Sequence, residues 1–436
     1  MPPNILLLLT DQQRFDTIAA HGSSFGAPTP ALDQLYRHGV FFTNAYCTSP
    51  VCAASRATLM TGLFPSQTSV YANLGNPCAP LNEGHLTIAH RLQAAGFETV
   101  YHGKSHLGGD LRHYGFEVAY ENSHDASTVT EAARFWRNRD WIVHRRPFFH
   151  VLSLLNPHDV YFVDPEDEAE PTLPAWPNAH DDLSQKPWPQ RGLQVPWSPR
   201  RWEAYRRFYG RCLTEVDACI GDAMQELIRS GFGPNTWVIV TTDHGDMAGE
   251  HSLPFKGPYM YEGVTHVPLL VVPPQERFGG KGKRDVGASA FPAHVCDDLV
   301  SLVDVVPTIL DLAGVPADPA LPGQSLAPAV RGTGHAPREA VFAEWHQYGN
   351  MVSPTRMIRS GRWKYSLYLG HGEELYDLQD DRHELHNLAG QPRYADVQKQ
   401  LNAQLLAHIE RTHDPFWTYQ ITDQQGRPMA ATAPTP

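Results

Sequence analysis

The architecture of this chain is set by its first apolar segment, Asn4-Ile5-Leu6-Leu7-Leu8-Leu9-Thr10-Asp11. The apolar run is too short to span a membrane, and it lacks the basic flank and small-residue cleavage site of a signal peptide. A continuous apolar run of this length is typical of a strand that is buried on both faces. The segment therefore predicts a central strand that ends at an acidic residue, Asp11.

Further along the chain, short apolar runs alternate with helical patterns. Helices are predicted at 29–38 and 86–95, each closed by a glycine, and a longer one at 202–229 with apolar residues at three- and four-residue spacing. This alternation predicts an α/β fold with a large, mostly parallel sheet between helices. Its further strands are predicted at 40–45, 97–101, 148–155, 237–242 and 269–272.

The pattern changes after about residue 340. Short strand candidates and one amphipathic helix, at 394–411, predict a small C-terminal α+β domain with a short antiparallel sheet. We therefore divide the chain into a catalytic domain (1–340), a small domain (341–412) and an extended tail (413–436). The Pro- and Trp-rich stretch 164–201 is too long for a simple connector, which favours a lid or a binding loop.

Composition narrows the class of protein. The chain has 436 residues, 42% of them hydrophobic and 19% charged, which is typical of a globular enzyme. The balance of 35 Lys+Arg against 47 Asp+Glu gives a net charge of -12, so a nucleic-acid partner is not expected. The six cysteines show no CxxC or zinc spacing, and no membrane segment is evident. We expect a reduced, cytoplasmic protein.

The segment Cys52-Ala53-Ala54-Ser55-Arg56, followed by Ala57-Thr58-Leu59-Met60-Thr61-Gly62, suggests a local anion site. Ser55 is predicted to N-cap a short helix that ends near Gly62. Position 52 would then lie just before a helix N-terminus, where backbone N–H groups favour negative charge. The alternative is a packed cysteine in front of an ordinary helix.

Polar residues also follow two predicted strands. Asp11 ends the first strand, and Asp243-His244-Gly245 follows the strand at 237–242. Ligands of open α/β sheets bind outside the carboxyl ends of the strands, so these side chains are expected to converge. Two carboxylates and an imidazole predict a divalent-metal site, although an Asp after a strand is also a common turn residue.

Taken together, these motifs resemble the sulfatase family. The resemblance implies an alkaline-phosphatase-like fold and the oxidation of Cys52 to a formylglycine, whose hydrate is the nucleophile, with Arg56 stabilising the resulting anion. It also implies one metal ion on Asp11, Asp243 and His244. Gln12 stands where the family often has a second Asp, so it would serve as a neutral amide ligand or as a hydrogen-bond donor. Calcium is expected, with manganese as the alternative.

Three further segments resemble family elements, and the resemblance implies roles for their polar residues. Lys104 is expected to contact the sulfate and the nucleophile, and His106 to act as the base that helps to expel sulfate. His158 and Lys256 are expected beside the leaving oxygen, where charge develops as the S–O bond breaks. The segments are His102-Gly103-Lys104-Ser105-His106-Leu107-Gly108, Asn156-Pro157-His158-Asp159 and Phe255-Lys256-Gly257.

The resemblance implies hydrolysis of a small-molecule sulfate ester, after action of a formylglycine-generating maturation enzyme. Ala54 replaces the usual proline of the signature, so conversion depends on a maturation enzyme that accepts alanine. One alternative is a phosphonate monoester or phosphodiester hydrolase on the same scaffold, against which Lys104 and His106 argue. A second is an inactive relative that binds sulfated ligands.

Two further expectations concern substrate specificity and assembly. Asn73, Trp345 and His346 are predicted to bind the substrate, and the tryptophans of the Pro-rich stretch (Trp176, Trp188, Trp197) to line the pocket or to form a surface lid. The aromatic residues of 414–419 predict a homo-oligomer, in which exposed rings act as interface anchors. Docking of the tail onto the small domain is the rival interpretation.

Overall fold

The fold is built on an eight-stranded sheet in the order β4-β3-β5-β1-β6-β7-β2-β8. A computed structural model describes residues 2–75, 79–139, 146–162, 173–275, 294–334 and 336–429. Strand β7 runs antiparallel to both of its neighbours, and the other neighbouring pairs are parallel. The strands are β1 Asn4–Asp11, β2 Val40–Tyr46, β3 Glu98–Gly103, β4 Val118–Tyr120, β5 Phe148–Pro157, β6 Thr236–Thr242, β7 Leu269–Val272 and β8 His294–Ser301.

Helices cover both faces of this sheet, and one helix packs on the small domain. They are α1 Pro30–His38, α2 Cys52–Thr61, α3 Pro65–Thr68, α4 Ile88–Ala94, α5 Asp125–Arg137, α6 Trp188–Arg191, α7 Pro199–Arg229, α8 Glu262–Thr265, α9 Val305–Leu312, α10 Ala327–Arg331 and α11 Ala395–Arg411.

Strand β1 shows why the sheet needs helices on both sides. Ile5, Leu7 and Leu9 pack into one apolar cluster with residues of α4 and α9. Leu6 and Leu8 point the other way, into a second cluster with α1, α5 and α7. Because side chains alternate along a strand, a continuous apolar run fits only a strand that is covered on both faces. The predicted central strand is confirmed.

The predicted fold class is confirmed, and three elements of the large sheet's layers were not predicted. Helix α5 has a weak apolar stripe, since two alanines and a threonine lie among its buried residues. Strand β4 has only three residues, and β8 carries adjacent acidic residues in an edge position. In each of these segments the apolar periodicity is too weak to reveal the element.

The small domain contains a four-stranded antiparallel sheet in the order β12-β11-β10-β9. Helix α11 packs on it through Leu401, Leu405 and Ile409. The first strand begins at residue 340, where the sequence pattern changes, although the division of the chain into three parts stays a prediction. The strands are β9 Ala340–Tyr348, β10 Met351–Ser360, β11 Trp363–Tyr368 and β12 Gly372–Asp377.

The first part of the tail docks onto the small domain. The Phe416 ring is fully buried in the cluster that contains Leu405, and Asp414 forms a buried ion pair with Arg356. Trp417 is 49% exposed. Intramolecular docking, the rival interpretation, therefore describes Asp414 and Phe416, and the homo-oligomer stays a prediction. Residues 430–436 lie outside the described part.

Two sequence expectations concern thiols and membranes. Cys47, Cys52, Cys212, Cys219 and Cys296 are free thiols. Cys78 lies outside the described residues. Within the described ranges, no helix combines the length and apolar character needed to cross a membrane.

Phe416 and Trp417 offer a matched test of tail docking. Phe416→Ala removes a fully buried ring, so we expect it to lower the free energy of unfolding by about 3–5 kcal/mol. Trp417→Ala removes a half-exposed ring and should cost much less. Urea unfolding, followed by circular dichroism, compares the two variants. Equal losses would contradict the docked tail.

Candidate active site

The candidate active site lies at the carboxyl ends of β1 and β6. These strands are parallel neighbours in which Thr10 pairs with Thr242, so Asp11 and Asp243 leave the sheet side by side. His244 follows, and its Nδ1 lies 2.8 Å from the carbonyl oxygen of Gly245. The ring atom Nε2 therefore faces the site. The predicted convergence of these three residues is confirmed as geometry.

Helix α2 brings Cys52 to the same place. The helix begins at Cys52 with Val51 as its N-cap, and Gly62 closes it in the left-handed conformation with φ 74°. Ser55 is inside the helix, so the expectation that it is the N-cap is wrong. Its hydroxyl instead donates to the backbone oxygen of Asp243 at 2.6 Å, which ties the helix to the end of β6.

Arg56 joins the two carboxylates. Its Nε donates to Asp243 Oδ2 at 2.9 Å, and its Nη2 donates to Asp11 Oδ2 at 2.7 Å. Its Nη1 donates to the carbonyl oxygen of Lys104 and to Ser153 Oγ. All three charged side chains are buried. The planar guanidinium suits this task because it offers several donors in fixed directions.

Lys104 follows β3 and reaches Asp11. Its Nζ lies 2.7 Å from Asp11 Oδ2. The preceding Gly103 has φ 101°, and a Cβ there would overlap the carbonyl oxygen of Ser153 on β5. A glycine is therefore required where β3 turns toward the site.

Lys256 closes the site from a loop after β6. Its Nζ lies 2.8 Å from Cys52 Sγ, 3.1 Å from Gln12 Oε1 and 3.0 Å from His244 Nε2. The side chain is buried, and its negative neighbours, Cys52 first among them, raise its pKa despite burial. The loop thus supplies a fixed cation beside the cysteine.

The electrostatic field of the cluster favours negative charge at position 52. Burial and the charge of Asp11 act to raise the pKa of the Cys52 thiol, but Lys256 and Lys104 together lower it well below its usual value. In Cys47, burial raises the pKa of the thiol. The two cysteines differ because cations surround only the first.

The two carboxylates differ as well. Burial acts to raise the pKa of Asp11, yet Lys104 and Arg56 hold it well below the usual range. Burial and the charge of Asp11 raise the pKa of Asp243. Two carboxylates this close favour an additional cation between them.

The donor set fits a divalent metal. One donor atom each from Asp11, Cys52, Asp243 and His244 lies within 4.8 Å of the others, and all four residues are buried. Gln12 Oε1 faces the same space, because it lies 3.1 Å from the ammonium group of Lys256. Carboxylate and amide oxygens with one imidazole suit calcium or manganese.

The two predicted catalytic histidines differ in their surroundings. Burial lowers the pKa of His158 to about 4, and its other electrostatic neighbours include Asp11, Lys104 and Lys256, which places it within the cluster. His106 has a backbone φ of 55°, and its buried Nδ1 has no hydrogen-bond partner among the described residues.

The predicted substrate-binding residues lie at different depths. Asn73 Oδ1 accepts a hydrogen bond from the backbone N–H of Ala53 at 3.2 Å, so it lies beside the cysteine. Trp345 is 2% exposed and belongs to the apolar cluster of Ala54, behind helix α2. His346 packs against the rings of Tyr71 and Tyr419.

The three tryptophans of the Pro-rich stretch all make contacts within the chain. Trp176 Nε1 donates to the backbone oxygen of Ala248 at 2.9 Å. The Trp197 ring lies 4.6 Å from that of Trp202, and the Trp188 ring stacks on His371 at 5.5 Å. These contacts favour a covering segment over a free pocket wall. Residues 164–172 of this stretch lie outside the described part.

Several buried residues that support the site were not predicted. Ser153 contacts Arg56, Tyr209 and Asp246 contact Gln12, and Tyr205 contacts Asp246. Tyr205 and Tyr209 lie in the helix predicted at 202–229 from its apolar spacing, and such periodicity does not show what a hydroxyl contacts. Asp246 lies three residues after Asp243, and that proximity was the available signal.

The arrangement of sheet and site defines a class of protein. A mostly parallel sheet between helices, with metal-type donors at the carboxyl ends of its central strands, is the alkaline-phosphatase-like architecture. A solved 2-O GAG sulfatase superposes on this chain with a TM-score of 0.83 and 27% identity, over 98% of this chain and 96% of that one. A phosphonate monoester hydrolase of Agrobacterium radiobacter shares the fold, with a TM-score of 0.76 at 22% identity over 99% and 100% of the chains.

The family follows from the sequence comparison. The Sulfatase model matches residues 3–315, and the model of the N-sulphoglucosamine sulphohydrolase C-terminal region matches residues 249–411. The chain belongs to the sulfatase family and is a sulfuric ester hydrolase.

Two curated relatives cover most of the chain. A Delta 4,5-hexuronate-2-O-sulfatase of Bacteroides thetaiotaomicron is 29% identical over 96% of this chain and 91% of its own length. A choline-sulfatase of Rhizobium meliloti is 28% identical over 90% of this chain and 83% of its own length.

The role of Arg56 in joining the carboxylates is open to a stability test. Arg56→Lys keeps the charge but cannot make the four hydrogen bonds of the guanidinium, so we expect a loss of about 3–5 kcal/mol in the free energy of unfolding. The control is Arg137→Lys, an exposed ion-pair residue. Urea unfolding of chelator-treated protein compares the variants. A loss at Arg56 no greater than the control's would contradict this role.

Proposed function

We propose that this chain hydrolyses sulfate monoesters to an alcohol and inorganic sulfate at the cluster around Cys52. The observation that carries the proposal is the position of Cys52 Sγ, at the N-terminus of α2 and 2.8 Å from the Lys256 ammonium. A helix N-terminus and fixed cations both stabilise an anionic group. The site is thus prepared for a negatively charged ester.

We assign Arg56 and Lys104 to holding the anion. Both cations already contact Asp11, so their positions are fixed before a substrate arrives. Prearranged charges stabilise a transition state without reorganisation during the reaction. His106 is assigned as the base for the release of sulfate, as its place in the family motif implies.

Lys256 and His158 are assigned to the leaving oxygen. At neutral pH the low pKa of His158, about 4, leaves its ring uncharged, so it would contribute an N–H hydrogen bond rather than a charge. The charge would come from Lys256, whose raised pKa keeps it protonated. Together they stabilise the negative charge that develops as the S–O bond breaks.

The proposed metal ligands are Asp11, Gln12, Asp243 and His244. When bound, the ion would polarise the sulfate and lower the pKa of the nucleophile. The mixture of carboxylates and one neutral amide supports calcium, and the imidazole keeps manganese as the alternative. Gln12 reduces the negative charge of the donor set by one, compared with a second aspartate.

We propose that Cys52 is converted to formylglycine, whose hydrate would supply the nucleophilic oxygen. Ala54 is fully buried next to the cysteine, in the cluster that contains Trp345. The maturation enzyme for this chain would therefore have to accept alanine in place of proline. The maturation enzyme would have to recognise the motif in the unfolded chain, because the motif is inaccessible once the chain has folded.

Substrate class, location and assembly remain predictions. The relatives named above act, by their names, on a sulfated hexuronate and on choline sulfate, so they support a sulfated small molecule without choosing one. Asn73 and His346 are the candidate contacts outside the cluster, and Trp345 supports α2 from behind. A cytoplasmic location and a homo-oligomer stay expectations from the sequence; exposed Trp417 is the remaining aromatic support for assembly.

A phosphonate monoester or phosphodiester hydrolase is the second candidate function. The Asp11-Gln12 pair favours it, because this pair also resembles that branch of the scaffold. Lys104, which contacts Asp11 at 2.7 Å, and His106 argue for the sulfatase. Initial rates on choline sulfate, aryl and sugar sulfates and phosphonate monoesters decide between them.

The identity of the nucleophile has a direct test. Peptide mass spectrometry of active protein should show the Cys52 sulfur replaced by an aldehyde oxygen. Cys52→Ala should abolish sulfate release, while Cys212→Ala, another buried thiol, should retain activity. A fully active protein with an unmodified Cys52 thiol would exclude the formylglycine mechanism.

The assignment of Lys256 to the leaving oxygen predicts a dependence on the substrate. Lys256→Met should slow hydrolysis of an alkyl sulfate by about 10²–10⁴-fold, and that of 4-nitrophenyl sulfate far less, because nitrophenoxide leaves without help. Lys186→Met, another buried lysine, is the control. The kcat/KM of both substrates is measured for each variant. An equal loss on both substrates in Lys256→Met would contradict the assignment.

A further inference from the structure

Gln12 is held in an unusual backbone conformation. Its φ is 67°, in the left-handed region that non-glycine residues rarely adopt. Its N–H donates to Asp243 Oδ1 at 3.0 Å, and its carbonyl oxygen accepts from the Tyr209 hydroxyl at 2.7 Å. Such a conformation persists when its surroundings hold it. The surroundings of Gln12 therefore determine where its side chain points.

The orientation of the Gln12 amide is fixed from both ends. Its Nε2 donates to Asp246 Oδ2 at 2.6 Å, and its Oε1 lies 3.1 Å from Lys256 Nζ. An ammonium group can only donate, and an ionised carboxylate can only accept. Both neighbours select the same orientation, in which the amide oxygen faces the candidate metal ligands.

Asp246 is itself fixed by its neighbours. The Tyr205 hydroxyl lies 2.9 Å and 2.8 Å from its two carboxyl oxygens, and the N–H of Ala248 donates to Oδ1 at 2.6 Å. Tyr205 and Tyr209 lie one turn apart on α7, so one helix face holds both the side chain of Asp246 and the backbone of Gln12. Asp246 and both tyrosines are buried.

We propose that Asp246 is a positioning residue, which orients the Gln12 amide so that its oxygen, and not its nitrogen, serves as a metal ligand. The inference rests on the proposed metal site. It explains how a neutral glutamine serves where a second aspartate would otherwise supply the oxygen. The negative charge is carried by Asp246, which does not bind the ion itself. Asp246 acts on the ion through its hydrogen bond to the Gln12 amide.

Substitution of Asp246 by Asn should remove one of the two contacts that orient the Gln12 amide. The Asn oxygen must accept from the Ala248 N–H, so its NH₂ group takes the place of Oδ2 and meets Gln12 Nε2, donor against donor. Lys256 still selects the present orientation, so either orientation of the Gln12 amide now places its nitrogen against a donor, and its oxygen is held less firmly toward the metal. We expect Asp246→Asn to raise the Kd for Ca²⁺ or Mn²⁺ by about 10–100-fold.

In the isosteric variant Gln12→Glu, the expected effect of Asp246→Asn on metal binding has the opposite sign. The introduced carboxylate would lie against the Asp246 carboxylate, at the 2.6 Å separation of the present hydrogen bond. In the double variant, Gln12→Glu with Asp246→Asn, the Asn NH₂ donates to the introduced carboxylate and the hydrogen bond returns. The same Asn substitution should therefore weaken metal binding in the wild-type background and strengthen it in the Gln12→Glu background.

The test is a double-mutant cycle on the full chain, read by isothermal titration calorimetry with Ca²⁺ and with Mn²⁺ after chelator treatment. Thermal unfolding midpoints, read in parallel, should also be higher for the double variant than for Gln12→Glu. Asp217→Asn is the matched control, since Asp217 is buried and accepts two backbone hydrogen bonds from α1, outside the cluster around Cys52. It should leave the Kd unchanged.

The outcomes separate this inference from the function on which it rests. A wild-type chain that binds neither ion would overturn the metal site and the inference with it. A wild-type chain that binds metal, with an unchanged Kd in Asp246→Asn or a weakening by Asn in both backgrounds, would overturn the inference alone. If Asp246→Asn does not fold, the comparison of Gln12→Glu with the double variant still gives the sign.

Discussion

The buried ion pairs of Arg56 with Asp11 and Asp243 are the interaction on which the rest of the site depends. They connect α2 to the ends of two central strands, and the same guanidinium reaches the turn after β3 and the side chain of Ser153 on β5. Burying three charges is costly unless each is paired and hydrogen-bonded. Here Nε, Nη1 and Nη2 of Arg56 each donate to an acceptor. These bonds fix the position of α2 relative to the sheet.

This constraint explains how positive charge is distributed around Cys52. Lys104 and Arg56 form ion pairs with Asp11. Lys256 instead contacts Cys52, the Gln12 amide and the His244 ring. The cations come from separate elements that are each fixed by the sheet. A negatively charged ester therefore meets charges that are already in position, as electrostatic catalysis requires.

The sequence predicted the large sheet because the β1 run is continuously apolar, and it predicted the convergence of Asp11 with Asp243 because both follow strands. The family motifs pointed to Lys104, His106, His158 and Lys256, whose catalytic roles stay predictions. Periodicity does not show which residues become buried by packing. In the structure, Ser55 lies inside α2, and the ring of Phe416 in the tail is covered. The polar contacts of Tyr205 and Asp246 were beyond prediction, because they depend on where α7 lies relative to β1.

The burial of α2 has a consequence for the order of events in the life of this protein. All ten residues of the helix are buried, Cys52 among them, and the site is assembled from segments more than two hundred residues apart. A second protein cannot reach a side chain enclosed in this way. Any enzymatic change at Cys52 must therefore precede the folding step in which α2 packs against the sheet. The time available is set by synthesis and folding of the chain, and a molecule that folds first keeps its thiol for as long as it stays folded.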